Sequence, residues 1–571
     1  MARNWPPLLW TGLWAVVMAT AFLTRPLMPM DETRYVAVAW DMWLSGNFLV
    51  PHLNGETYSQ KPPLLFWLIN LGWGAFGVNE WWPRLVAPLF GLANLFLTAR
   101  LARELWPEGG NELTAQMAPL VLFGGLFWAV FTTLTMFDMI LTAFVLIGLI
   151  GVVKAWRGGG RGGALFGFVL LGLGIGLGIL TKGPVVLLHI LPVALLAPWW
   201  GRALSGGRGG GERGQGEQGL GRWYLGVAGA VVLGAAIALA WAVPAGMAGG
   251  EAYRDAIFWG QSAGRMVSSF AHSQPWWFYG AVLPVLLLPW VTWPAAWRAM
   301  RLLPKRLTLD NGGAEAGGME AGGVRFCVAW FVPALVVFSF ISGKQFHYLL
   351  PELPAFALVL ARLLVAEDGA ERKAPPRLVP PGLVLPGLLA VILAAALFAL
   401  PVLPLPALPQ PWWDLVASGW GLALAAAGVG VIAAARLPLS GRITALAVLA
   451  AVFVVSTHLA MRPVLAAVFD LKPLALRLAE WQRQGVQLAN YSKYHGQYNF
   501  LGRLKKPITQ IGMLHPDTVE FIKRYPGGKI IAYHDKPITR AKPIVTYRFR
   551  SRLIAIWEVE TVARFPGITE R

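Results

Sequence analysis

The chain has 571 residues, 56% of them hydrophobic and only 13% charged, with a formal net charge of +19. That balance, with a mean hydropathy of +0.55, excludes an ordinary soluble globular protein, in which about a quarter of residues are charged, and describes a polytopic membrane protein. The positive charge is spread over many loops instead of forming one face, so no nucleic-acid partner is expected.

Apolar runs long enough to cross ~30 Å of hydrocarbon, about 20 residues each, fall near 8–28, 83–103, 116–133, 135–155, 164–181, 184–200, 222–246, 276–298, 324–342, 346–365, 380–404, 414–435 and 442–461. The expected architecture is therefore all-α, with about thirteen transmembrane helices. The first run lacks a small-residue cleavage site and reads as a retained helix. The run 64–77 is short and broken by glycines, which makes it interfacial.

With the N-terminus in the cytoplasm, every inner loop is basic, from Arg100 and Arg103 through Lys154 and Arg157 to Arg436 and Arg442. An odd number of spans then puts the segment after about residue 462 outside. Two inner loops, 201–221 and 310–323, are Gly-rich tethers. A single cysteine, Cys327, excludes an intrachain disulfide.

The last hundred or so residues change character. Strand patterns appear at 485–491, 529–534, 543–549 and 552–558, and helical spacing at 516–525. The division is a transmembrane domain over 1–462, with its first outer loop at 29–82, and a small outer α/β domain over 463–571. Tyr491, Tyr494, His495 and Tyr498 of that domain could touch a substrate or simply form a strand-to-helix loop.

This topology sorts the polar residues by side. Asp31, Glu32, Arg34, Tyr35, Tyr58 and Lys61 fall in the first outer loop, Asp138 at the outer start of the fourth span and Lys182 in an outer turn. Arg254, Asp255, Gln261, Arg265 and His272 follow in the loop 250–275, then Lys344, His347 and Tyr348 in the next. Charge at a membrane face is costly unless used, and its gathering on one side favours chemistry on a lipid-linked substrate over a transport pathway. A flippase would need matching charge in the inner half, where only His189 and His458 stand, isolated within apolar runs and read as satisfied core histidines.

The run Asp31-Glu32-Thr33-Arg34-Tyr35, then Leu53-Asn54-Gly55-x-x-Tyr58-x-x-Lys61-Pro62-Pro63, then Gln261-Ser262-x-Gly264-Arg265 and His272 resembles the bacterial aminoarabinose transferase family, related to protein O-mannosyltransferases. The resemblance implies the C-type membrane glycosyltransferase fold and an inverting transferase of the inner membrane. Its donor would be a sugar on undecaprenyl phosphate and its acceptor a phosphate of lipid A, with the small domain periplasmic. The chain is expected to work as a monomer, and the modification is the one behind polymyxin resistance. Runner-up acceptors are another envelope glycan or protein hydroxyls.

Within that reading, Arg34 and Lys61 would take up the charge of the leaving phosphate. Asp31 would act as general base, or orient an acceptor already ionised. Glu32 serves the amino sugar or a first helical turn, and Asp138 is a site carboxylate, a helix N-cap, or both. Lys182 reads as a phosphate ligand facing the same vestibule as Lys61. Arg265 and His272 belong to the site or to an interfacial helix, and Lys344, His347 and Tyr348 close the cavity or anchor at the interface. Gln60 stands where the resemblance implies a glutamate, and its neutral amide argues against a metal there. No cofactor is assigned, and a divalent metal has no clear ligand set.

Overall fold

The computed structural model describes residues 5–107, 111–158, 161–204, 219–260, 273–308, 315–371, 382–403, 412–512, 515–536 and 538–570. Among these, ten helices are long and apolar enough to cross a membrane, and an eleventh span arises if Val186–Leu195 and Ala197–Leu204, bent by 59° at their junction, count as one. The protein is a multi-pass membrane protein.

The helices are α1 (Trp5–Thr24), α2 (Glu32–Ser45), α3 (Leu64–Phe76), α4 (Trp81–Leu105), α5 (Asn111–Phe123), α6 (Leu126–Phe131), α7 (Phe137–Arg157), α8 (Arg161–Lys182), α9 (Val186–Leu195) and α10 (Ala197–Leu204). After α11 (Leu220–Ala248) and the short α12 (Glu251–Asp255) come α13 (Phe278–Leu286), α14 (Pro294–Met300), α15 (Leu303–Thr308) and α16 (Glu315–Phe340). The bundle closes with α17 (Leu353–Glu371), α18 (Val384–Ala399), α19 (Gly421–Ala433) and α20 (Leu439–Val468).

Besides the run 184–200, bent between α9 and α10, two more of the expected spans are not continuous helices. The run at 116–133 breaks at Gly124-Gly125 between α5 and α6, and the run at 276–298 is split between α13 and α14 by a 3₁₀ turn at Trp290–Thr292. Prolines 284, 289 and 294 remove backbone donors there, which a regular helix does not tolerate in series. As expected, 64–77 forms only the 13-residue α3.

Helix α7 is the axis of the bundle, with 89% of its apolar window buried. It packs on α8 through glycines: a Cβ on Gly174 would sit 2.7 Å from the Gly148 Cα, and one on Gly167 would sit 2.3 Å from the Ala155 nitrogen. In lipid, where apolar surface gains nothing by leaving the tails, such backbone approach is what holds two helices together.

Beyond α20, the helix α21 (Lys472–Arg483) leads into a five-stranded sheet of β3 (Leu488–Tyr491), β4 (Thr509–Ile511), β5 (Lys529–His534), β6 (Val545–Phe549) and β7 (Arg552–Glu558). Its order is β4-β3-β5-β7-β6, with β3 parallel to β4 and β5, and β7 antiparallel to β5 and β6. Helices α22 (His515–Arg524) and α23 (Val559–Arg564) complete this small α/β unit. Four strands and α22 fall where the sequence pattern put them. Strand β4 was missed, being three residues long and parallel, without a period to read.

The sheet unit rests on α2 and α3. Trp40 and Trp73 meet Phe500, the latter stacked at 5.1 Å, and the Trp40 Nε1 donates to the Leu504 carbonyl at 2.9 Å. Lys472 adds an ion pair to Glu80 at 2.7 Å. One apolar cluster joins Tyr35, Val36, Trp40 and Phe66 to Tyr494, Tyr498, Phe500 and Ile508, so α2 is gripped from both sides.

Candidate active site

The turn before α2 is set by Met30, at φ 81°. It presents two adjacent carboxylates to different surroundings, because successive helical residues point about 100° apart. Asp31 lies outward, with its side chain 56% exposed, and accepts a bond from Arg34 Nη2 at 2.6 Å. Glu32 points inward and is 1% exposed.

Below Arg34 lies a floor of rings. The Arg34 guanidinium is 5.4 Å from the Tyr35 centroid and the Lys61 ammonium 5.7 Å from that of Phe137. Tyr35 meets Phe137 edge-on at 4.8 Å, Phe66 meets Phe137 at 5.8 Å and Tyr58 meets Phe66 at 6.1 Å. Burial, and then the Asp31 charge, push the Tyr35 phenol well above its ordinary value, so it is a neutral donor at physiological pH. Two cations over aromatic faces and beside a membrane are a fitting seat for a phosphate.

Asp138, in the first turn of α7, is 2% exposed and accepts from Lys182 Nζ, at the end of α8, at 2.6 Å. The Lys182 ammonium also lies 4.6 Å from the Tyr348 ring centroid. Tyr348 meets His347 edge-on at 5.0 Å, and His347 stacks on Phe131 at 5.9 Å. Lys61 and His347 are within Coulombic reach of Asp138, and His347 is within reach of Asp31 as well. Asp31, Arg34, Tyr35, Tyr58, Lys61, Asp138, Lys182, His347 and Tyr348 therefore share one end of the bundle, under the C-terminal sheet.

The remaining expected residues differ. Glu32 sits apart from the exposed Asp31 in a closed node: Arg25 grips it with Nη1 at 2.5 Å and Nη2 at 3.0 Å, and the Met28 and Thr135 amides donate at 2.8 and 2.7 Å. Burial alone would raise its pKa, but the Arg25 charge and these donors hold it below the ordinary carboxylate value. Lys344 is buried and spends its ammonium on the Gln274 carbonyl at 2.7 Å, pinning the segment that bridges Ser273 to Gly343. Arg265 and His272 lie outside the described residues. Among the described residues no group of three or more His, Cys, Asp or Glu side chains could hold a metal ion.

Sequence reasoning missed several partners. His189 is buried against Glu352, and His458 Nδ1 lies 3.1 Å from Thr24 Oγ1, so both are satisfied within the bundle as expected, by partners the sequence did not name. Arg84 donates to the carbonyls of Ala21 and Arg25 at 2.9 and 3.0 Å. A two-residue hairpin, β1 (His52–Leu53) and β2 (Glu56–Thr57), also went unread, although its Asn54-Gly55 tip, at φ 57° and 86°, is a strong hairpin signal.

Comparison with known proteins finds similar sequences and a shared fold. Residues 21–247 match the family model described as dolichyl-phosphate-mannose-protein mannosyltransferase. The undecaprenyl phosphate-alpha-4-amino-4-deoxy-L-arabinose arabinosyl transferase 2 of Pseudomonas fluorescens is 28% identical over 379 residues, 64% of this chain and 60% of that protein. The corresponding transferase of Pseudomonas paraeruginosa is 30% identical over 340 residues, 59% of this chain and 55% of that protein. The crystal structure of ArnT from Cupriavidus metallidurans bound to undecaprenyl phosphate superposes with a TM-score of 0.73 at 20% identity, covering 97% of this chain and 98% of that one. The chain is similar to the aminoarabinose transferases over part of its length and has the ArnT fold. The match to the two Pseudomonas transferases spans little more than half of their length, whereas the fold is shared end to end.

Proposed function

We propose that the protein is an inverting glycosyltransferase that takes a sugar from undecaprenyl phosphate and passes it to an envelope acceptor. The sugar is 4-amino-4-deoxy-L-arabinose and the acceptor a phosphate of lipid A. It acts as a monomer in the bacterial inner membrane, with the N-terminus cytoplasmic and the site periplasmic. Residues 1–462 form the transferase domain and 463–571 the periplasmic domain.

The observation that carries this reading is the meeting of an exposed carboxylate, Asp31, with Arg34, Lys61 and the Asp138–Lys182 pair at one mouth of the bundle. An acceptor oxygen lone pair forms the new bond to the anomeric carbon while the bond from that carbon to the carrier phosphate oxygen breaks. The bonding pair leaves with the phosphate, and Arg34 and Lys61 stabilise the growing charge. Asp31 orients an ionised phosphate acceptor, or takes the proton of a hydroxyl acceptor. The basic residues Arg100, Lys154, Arg157, Arg298 and Arg442, ion-paired to Glu104, Glu367 and Asp368, support a cytoplasmic placement of the opposite end.

The test is mass spectrometry of lipid A and of polyprenyl phosphates from cells carrying the protein, lacking it, or carrying Asp31→Asn. The expected result is an aminoarabinose-bearing phosphate on lipid A that is absent from the other two strains. Unchanged lipid A with accumulated sugar-charged carrier would refute the acceptor; no change in either pool would refute the transferase reading.

A further inference from the structure

The hairpin β1–β2 is too small to hold itself. Each strand has two residues, and isolated two-stranded hairpins are marginal in water at best. Yet it leads directly into the phosphate seat, since the Tyr58 amide donates to the Pro51 carbonyl at 2.8 Å across the hairpin base, and Lys61 follows three residues later. Something outside the hairpin must fix it.

Support reaches the hairpin tip from two sides, from Asp41 of α2, which accepts from the Gly55 amide at 3.4 Å, and from the C-terminal domain, which holds the Asn54 side chain. Asn54, 9% exposed, donates through Nδ2 to the Ile508 carbonyl at 2.9 Å and accepts from the Ile508 amide at 2.8 Å. Asn499 Nδ2 approaches the same Asn54 oxygen at 3.4 Å. At Gly55 the fit is close, because a Cβ there would lie 3.0 Å from Pro507. The receiving segment before β4 is itself braced: Gln482 Oε1 accepts from the Lys505 and Lys506 amides at 3.0 and 3.1 Å. A paired amide on a backbone N–H and C=O of one residue mimics a strand contact and leaves little freedom in direction.

We propose that Asn54 is a positioning residue through which the C-terminal domain sets the place of Tyr58 and Lys61, and hence the grip on the carrier phosphate. The inference rests on the carrier reading above. It makes the C-terminal domain part of donor binding, where acceptor contact would be the simpler assignment.

The experiment measures binding of undecaprenyl phosphate to the purified full-length protein, with thermal unfolding in parallel, for wild type, Asn54→Ala and Trp40→Phe. Trp40→Phe removes a different bond between the same two domains, the one to Leu504, without touching the hairpin. Asn54→Ala is expected to weaken binding about tenfold, the scale on which small misplacements act, while Trp40→Phe stays within about twofold of wild type at a similar loss of thermal stability. Equal affinities for Asn54→Ala and wild type, or equal weakening in both variants, would overturn the inference and leave the carrier reading intact. A wild-type protein that does not bind undecaprenyl phosphate would overturn both. If Asn54→Ala does not fold, Asn54→Asp carries the test: it keeps the acceptor for the Ile508 amide, loses the donor, and is expected to weaken binding in the same direction.

Discussion

Replacing Lys182 by Met tests whether the Asp138–Lys182 pair serves chemistry or only joins two helices. The two side chains are 2% and 11% exposed and 2.6 Å apart, so removal of the ammonium strands a carboxylate away from water. Breaking one half of a buried pair costs about 3–5 kcal/mol; Lys61 and His347, both within reach of Asp138, place the expectation at the lower end of that range. The double variant Asp138→Asn with Lys182→Met leaves no uncompensated charge, and neutral replacement of a whole buried pair is often close to cost-free. Its stability should therefore return to within about 1 kcal/mol of wild type. Activity should not follow: loss of a cation facing developing phosphate charge costs about 100-fold or more, in the single and double variants alike. Thermal unfolding in detergent and single-turnover transfer from the lipid-linked sugar measure the two quantities separately. A double variant that is stable and within about threefold of wild-type rate would refute the catalytic reading of the pair.

Two further outcomes are expected. Arg25→Met should cost about 3–5 kcal/mol in unfolding stability because Glu32 keeps its burial and loses its counter-ion, whereas Arg25→Met with Glu32→Gln should recover most of it; a single variant within about 1 kcal/mol of wild type would contradict the closed-node description. Asp41, on α2 beneath the hairpin tip, is pushed up to about 6 by burial against an ordinary 3.8, with the Gly55 and Asn54 amides and His52 opposing. A carboxyl raised on folding favours the folded state fully below its unfolded value and loses that contribution as pH rises from about 4 through 6. Asp41→Asn should therefore gain stability relative to wild type at pH 7, by up to about 3 kcal/mol before solvent screening, and the gain should vanish near pH 3.5. A difference between the two proteins that is flat from pH 3.5 to 8 would contradict the assignment.

Composition and apolar run length carried the membrane bundle because every backbone group in lipid must be bonded within its own helix, and that demand writes itself along the sequence. The broken segments at Gly124-Gly125 and at prolines 284, 289 and 294 kept their hydropathy while losing their helix, so a hydropathy reading counts them as spans. The charges of the site were legible for a related reason: few polar groups survive at a membrane face without a use. What could not be read was which of two adjacent carboxylates faces the opening. Asp31 and Glu32 differ only by the rotation between neighbours on a helix, and the partner that claims Glu32, Arg25, lies before the turn. The Asn54 contact to Ile508 spans 454 positions, and nothing local to either residue announces it. The hairpin itself was announced by Asn-Gly, a signal that the reading of the loop for its charges passed over.

The glycine seam between α7 and α8 acts as a ruler. Asp138 and Lys182 stand at the same end of these two helices, about 15 and 12 Å along their axes from Gly148 and Gly174 at a rise of ~1.5 Å per residue. Because the two backbones touch there, neither helix can turn or slide without collision, and their charged ends arrive in register. A methyl group added in the seam would thus be paid at the mouth of the site, in the alignment of an acid and an amine it never touches.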